Sequence, residues 1–257
     1  MKEVTDLSNL LLRHVVPLFS LPKGQRPELI GTGLFVSAHG QHFLVSAAHV
    51  LDKVSEPGSL HYYVDRTKLR KVTGSILCTR VPPFGTRSSD RIDIGVVRLE
   101  GPELPPYPLV DKYPISRESL LPRSQPRVDK QYLVAGFPES KSRADPSRRQ
   151  LVSRPSAFRA VSGVDADYAE LSITPETHLL LKVDTKKMVF PGDRVQAMPD
   201  PHGMSGSPVW LLFDSQGQND PTVTPIVGIA IEHHRTTQAI VATDISAALH
   251  LIDEAVK

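Results

Sequence analysis

Ser205 lies in the stretch PDPHGMSGSPVW (199–210), where a Gly-x-Ser-Gly turn runs into the apolar residues Val209 to Phe213. A serine between glycines is a candidate nucleophile, because Gly203 and Gly206 free the backbone for a strained turn. Such a turn points successive N–H groups into one concavity, and those of Gly203 and Ser205 are the candidate donors to a developing oxyanion. Acyl transfer by serine also needs a base and a buried acid. Among ten histidines, His49 follows the apolar segment HFLVSAA, and its two small alanine neighbours leave room around the ring. His39 and His42 flank Gly40 in a hairpin-like turn and are expected to be exposed. Asp93 opens DIGVVRL, and a carboxylate beside Ile94, Gly95, Val96 and Val97 is costly to bury unless it has a partner.

Each residue alone has a plainer reading. Ser205 alone reads as a polar loop residue, His49 as a hydrogen-bonded core histidine, and Asp93 as a turn residue like Asp90. Ser207 is the rival hydroxyl, but it precedes Pro208 and is expected to face away.

The elements that must position these groups read as short strands. Nine apolar runs bounded by Gly, Pro, Ser and Asp recur: GTGLFVSA, HFLVSAAHV, LHYYVD, DIGVVRLE, QYLVAGFP, THLLLKVD, VWLLF, PIVGIAI and QAIVATDI. Many short strands with turn signals between them predict an all-β sandwich or barrel. The 23 prolines fall in clusters such as VPPFG and GPELPPYP, which disfavours long helices. Helical spacing appears mainly at the two ends, through Val4, Leu7, Leu11 and Val15, and again from Ile245 to Val256. The stretch 107–130 carries little strand pattern and reads as a connector, while the basic stretch 138–155 reads as an exposed loop.

The chain has 257 residues, 40% of them hydrophobic, enough for a substantial core. Thirty basic against 28 acidic residues leave a net charge of +2, which gives no global reason to expect a nucleic-acid partner. One cysteine, Cys78, excludes an intrachain disulfide. The N-terminal segment carries Arg13 and His14 within its apolar run, so neither a signal peptide nor a membrane span is expected, and a cytoplasmic setting follows. His202, Glu232, His233 and His234 match no zinc spacing, so no metal or cofactor is expected.

Taken together, the order His49, Asp93, Ser205 and the three local contexts resemble the trypsin/chymotrypsin family of serine peptidases. SAAHVLD is similar to the family's Ala-Ala-His motif, DIGVVRL to its Asp-Ile-Ala-Leu strand, and GMSGSP to its Gly-Asp-Ser-Gly-Gly-Pro motif. GTGLFVS, VAGFP and PIVGIAI are similar to three further family strands, in order. Intervals of 44 and 112 residues between the three also suit the family. The likeness runs from about Val15 to the C-terminal helix and is greatest to disulfide-poor bacterial members.

The resemblance implies two six-stranded antiparallel β-barrels with a C-terminal helix and a short N-terminal one. It divides the chain into a first lobe (1–110) with His49 and Asp93, a connector (111–130) and a second lobe (131–257) with Ser205. It implies that Ser205 attacks a peptide carbonyl, His49 moves the proton, Asp93 orients His49, and the Gly203 and Ser205 N–H groups bind the oxyanion. It assigns Pro199, Asp200, Ile231, Glu232, His233 and Ile240 to the specificity pocket. Asp200 or Glu232 would favour a basic side chain there, and Ile240 would narrow the space. The implied partner is a protein or peptide substrate, with an activating partner or ligand as a further possibility and no nucleic acid or membrane. The alternative is a latent member serving as a binding or scaffold module.

The pattern departs from the family at Met204. Secreted members often carry an aspartate there, which pairs with a newly cut N-terminal amine. Met204 cannot form that pair, so either the oxyanion site is built in the translated chain, or a partner orders it.

Overall fold

A computed structural model of the chain describes residues 10–21, 26–53, 60–65, 68–101, 104–107, 111–122, 130–145, 150–183, 188–190, 194–196, 201–213, 224–234 and 236–257. The protein is mostly β. The first lobe holds β1 (Val15–Ser20), β2 (Glu28–Ala38), β3 (Gln41–Ala47), β4 (Leu60–Asp65), β5 (Lys68–Lys71), β6 (Gly74–Cys78), β7 (Ile94–Leu99) and β8 (Ile115–Ser116). The second holds β9 (Gln131–Gly136), β10 (Ser142–Asp145), β11 (Gln150–Ser153), β12 (Ser156–Ser162), β13 (His178–Val183), β14 (Met188–Phe190), β15 (Arg194–Gln196), β16 (Pro208–Phe213), β17 (Ile226–His234) and β18 (Ala239–Asp244). Helices are few: α1 (Ala48–Asp52), α2 (Asp165–Glu170) and α3 (Ser246–Ala255), with short 3-10 turns between strands.

The second lobe closes into a six-stranded barrel in the order β12-β13-β18-β17-β16-β9. The first is a curled sheet in the order β5-β4-β1-β2-β3-β7-β6, and among the described residues it stays open between β5 and β6. It also departs from a purely antiparallel plan, because β8 runs parallel to β2. All nine apolar runs contain strands. Residues of β2 and β3 are buried almost without alternation, which is what a strand with packing on both faces requires. Their connection is the two-residue turn His39-Gly40, with φ of 50° and 71°, the left-handed pair that matches strand twist.

One expectation at the N-terminal end changes. Val4 and Leu7 lie outside the described residues, but Val15 opens β1 rather than continuing a helix. Val15, Val16 and Leu18 are fully buried. Their β-branched and proline-containing run VVPLF suits a strand better than the helical spacing that Leu11 and Val15 suggest. The basic stretch likewise forms a hairpin, β10–β11, over part of its length. Arg148 and Arg149 lie outside the described residues.

The C-terminal helix is present, and it crosses back to the first lobe. Its buried face, Ala248, Leu249, Leu251 and Ile252, packs on β7 and β6. Asp253 pairs there with Arg117 at 2.9 Å and with His39 at 2.9 Å. No helix among the described residues is long and apolar enough to cross a membrane.

Candidate active site

His49 is the second residue of α1, two residues past the end of β3. Asp93 stands just before β7, which pairs with β3, so the two residues come from neighbouring strand ends. Asp93 takes a left-handed φ of 50°, which Asp tolerates better than most residues. That backbone is pinned from both sides. Its carbonyl accepts from the Ala48 N–H at 2.8 Å. The preceding carbonyls are held by the other lobe, Ile92 by the Thr243 hydroxyl at 2.6 Å and Arg91 by His178 Nε2–H at 2.8 Å. His178 Nδ1 must then accept, and the Thr177 hydroxyl donates to it at 2.8 Å.

The result is a clamped imidazole. Asp93 Oδ1 accepts the His49 main-chain N–H at 2.8 Å, and Oδ2 accepts His49 Nδ1–H at 2.5 Å. The Asp93 side chain is only 10% exposed, whereas that of His49 is 30% exposed. With Nδ1 engaged as a donor, Nε2 of the neutral ring is the nitrogen free to accept a proton.

Ser205 lines the same cleft as His49, Asp93 and Gly203, a cavity of about 510 Å³. Its Oγ donates to the Ile231 carbonyl at 3.3 Å, not to His49. The turn around it is held tightly. Gly203 and Gly206 have φ of 88° and 89°, which only glycine adopts without strain. The His202 carbonyl accepts from the Glu139 N–H at 2.7 Å. Across a trans peptide the N–H points the opposite way, so that of Gly203 points away from Glu139. Among the described residues neither the Gly203 nor the Ser205 N–H has a protein acceptor. The intervening Met204 N–H turns back to the Pro201 carbonyl at 2.8 Å, and the Gly206 N–H bonds to the Ala230 carbonyl at 2.7 Å.

Met204 is buried among Val134, Ala230 and Ile240 in the apolar interior of the closed barrel, so the turn is anchored by packing. Ser207 is fully buried against Gly136, out of the cleft, as its place before Pro208 implies. Beside Ser205 a side pocket of about 20 Å³ is lined by Val134, Pro201, Met204, Ala230, Glu232, His233 and Ile240.

Of the residues assigned to specificity, Ile231, Glu232 and His233 line the main cleft and Ile240 the side pocket. Pro199 and Asp200 lie outside the described residues. Glu232 pairs with His234 at 3.1 Å, and His202 pairs separately with Glu139 at 3.4 Å. His42 is half-buried rather than exposed, and burial pushes its pKa below the usual histidine value.

Sequence reasoning missed Thr32, His178 and Thr243, which support the site from across the lobe boundary. Their partners are far away along the chain, 171 residues in the case of Thr32 and Gly203, so no local motif announces them. Cys78 is half-buried, and burial raises its thiol pKa to about 11.

No protein-family model matches the chain, and no curated protein matches it.

Proposed function

We propose that the protein is a serine endopeptidase of trypsin-like type, with the curled sheet as the first barrel, the closed barrel as the second, and the cleft between them as its active site. The observation that carries this reading is the clamp on His49. Asp93 holds its main-chain N–H at 2.8 Å and its Nδ1–H at 2.5 Å, in the cleft that Ser205 lines.

In the proposed reaction Ser205 Oγ turns from the Ile231 carbonyl and attacks a peptide carbonyl, while His49 Nε2 takes its proton. The carbonyl oxygen becomes an oxyanion, received by the N–H groups of Gly203 and Ser205. His49 gives the proton to the leaving amine, and the acyl-enzyme ester remains. Water then attacks the ester, losing a proton to His49, and Ser205 is regenerated. Asp93 stabilises the imidazolium in both halves. No metal or cofactor enters the scheme. A single cysteine suits work in the cytoplasm.

The side pocket argues for a small primary side chain rather than a basic one. Its volume of about 20 Å³ holds roughly one methyl-sized group. Val134, Met204, Ala230 and Ile240 give it apolar walls, and Glu232 is already paired with His234. Digestion of a peptide library tests both parts. The expected result is cleavage after alanine or residues of similar size, lost in Ser205→Ala. No cleavage by the wild-type chain, or cleavage that survives Ser205→Ala, contradicts the reading.

A second reading, a latent trypsin-like module that binds rather than cuts, draws on one observation: the Ser205 hydroxyl bonds to Ile231 and not to His49. It predicts binding of peptides without turnover.

A further inference from the structure

We propose that Thr32 is a positioning residue that holds the oxyanion-binding turn in its working shape within the translated chain. The inference rests on the peptidase reading, and it answers how the turn is built when position 204 carries a methionine. Thr32 lies in the middle of β2, in the opposite lobe from Ser205, and is fully buried. Its main-chain N–H donates to the Ser205 carbonyl at 2.9 Å. Its hydroxyl donates to the Gly203 carbonyl at 3.1 Å and accepts from the Phe137 N–H at 3.0 Å. Its own carbonyl accepts the Ser46 hydroxyl at 2.7 Å, which ties the latch back to β3.

These bonds fix peptide planes. An oxyanion donor is aimed only if its plane cannot rotate, and a plane is held through its carbonyl. The planes following His202, Gly203, Met204 and Ser205 each have a carbonyl partner. These are the Glu139 N–H, the Thr32 hydroxyl, the Ser207 N–H and the Thr32 N–H, at 2.7, 3.1, 3.0 and 2.9 Å. The candidate donors, the Gly203 and Ser205 N–H groups, lie in the planes following His202 and Met204; Thr32 holds, from the opposite lobe, the two planes that alternate with them, those following Gly203 and Ser205. The seat leaves no slack: a Cβ on Gly206 would lie 2.0 Å from the Thr32 carbonyl oxygen, and one on Gly136 would lie 2.9 Å from the Thr32 hydroxyl. A side chain without a hydroxyl at position 32 would leave the Gly203 carbonyl and the Phe137 N–H buried and unpaired. The plane following Gly203, which links the two donor planes, would then be free to rotate and to carry them out of line.

The test compares Thr32→Val, which keeps the shape and removes the hydroxyl, with Thr32→Ser and Thr32→Cys. Two readouts are taken. One is turnover of tetra-alanine p-nitroanilide. The other is affinity for a tetra-alanine aldehyde against that for the tetra-alanine product. With the aldehyde, Ser205 Oγ bonds to the carbonyl carbon, the C=O π bond breaks to an oxyanion, and the serine proton passes to His49. The product makes no such bond. Thr32→Val is expected to lower kcat by roughly 10- to 100-fold with KM within about threefold, and to weaken aldehyde binding in step while product binding holds. Thr32→Ser recovers most of the rate, and Thr32→Cys, with its weaker donor, falls between.

Should Thr32→Val fail to fold, the Ser and Cys pair carries the comparison. Unchanged kcat in the Val and Cys variants, or equal losses for aldehyde and product, overturns the proposal. A wild-type chain that neither cleaves the anilide nor forms the aldehyde adduct overturns the peptidase reading instead.

Discussion

Asp93→Asn separates chemistry from fold. The position needs a left-handed φ of 50°, and Asn, like Asp, adopts it readily. Asn can keep one oxygen on the His49 main-chain N–H, now at 2.8 Å, and set its NH₂ against Nδ1, which the carboxylate meets at 2.5 Å. Nδ1 must then accept, and the ring carries its proton on Nε2. In the proposed reaction that is the nitrogen that takes the proton of Ser205. The wrong tautomer is expected to lower kcat by roughly 1,000- to 10,000-fold. Stability changes by no more than about 1 kcal/mol, because a charge-assisted bond becomes a neutral one and none is left empty. Asp93→Ala loses both bonds and the side chain that favours the left-handed backbone, a cost of about 2–4 kcal/mol. Steady-state turnover of tetra-alanine p-nitroanilide, with thermal melts of both variants, reads the two effects apart. A folded Asn variant within tenfold of the wild-type rate would refute the role assigned to Asp93.

Two more outcomes follow. Ile240→Ala should widen the 20 Å³ side pocket and shift preference toward leucine over alanine at the cleaved bond by about tenfold or more; an unchanged ratio in a competition digest contradicts the pocket assignment. Lys112 donates to the Leu12 and Val15 carbonyls at 2.6 and 2.8 Å, and burial lowers its pKa to about 8 from the ordinary 10.5. Between those values the unfolded chain binds more protons than the folded one, so stability should rise with pH across that window. The gain is on the order of 2 kcal/mol, allowing for partial exposure. Denaturant titrations should show the rise, and Lys112→Met should abolish it.

The strands were legible because each is a short, nearly unbroken apolar run between turn residues. The His49 and Asp93 contexts were legible for a related reason: both sit at the ends of such runs, and β3 and β7 pair. β1 was obscured because Leu11 and Val15 imitate helical spacing. The β10–β11 hairpin was hidden by basic residues that read as loop. Closure of each lobe depends on how edge strands meet, and nothing in the composition of β5 or β6 reveals that, among the described residues, the two do not pair. Thr32 was read only as part of GTGLFVS. Its hydroxyl acquires a purpose when the second lobe brings Gly203 and Phe137 against it. Ile240 was read as narrowing the pocket, and it lines the side pocket, but the apolar wall it shares with Val134 and Met204 exists only in the closed barrel.

The central claim is that Ser205 is an activated nucleophile, and a fluorophosphonate probe reads this directly. Ser205 Oγ would attack phosphorus, fluoride would leave, and the proton would pass to His49. Intact-mass measurement and peptide mapping should place one adduct on Ser205, absent from Ser205→Ala and strongly slowed in Asp93→Asn. A folded wild-type chain that takes no label, or a label that persists in Ser205→Ala, would contradict the account.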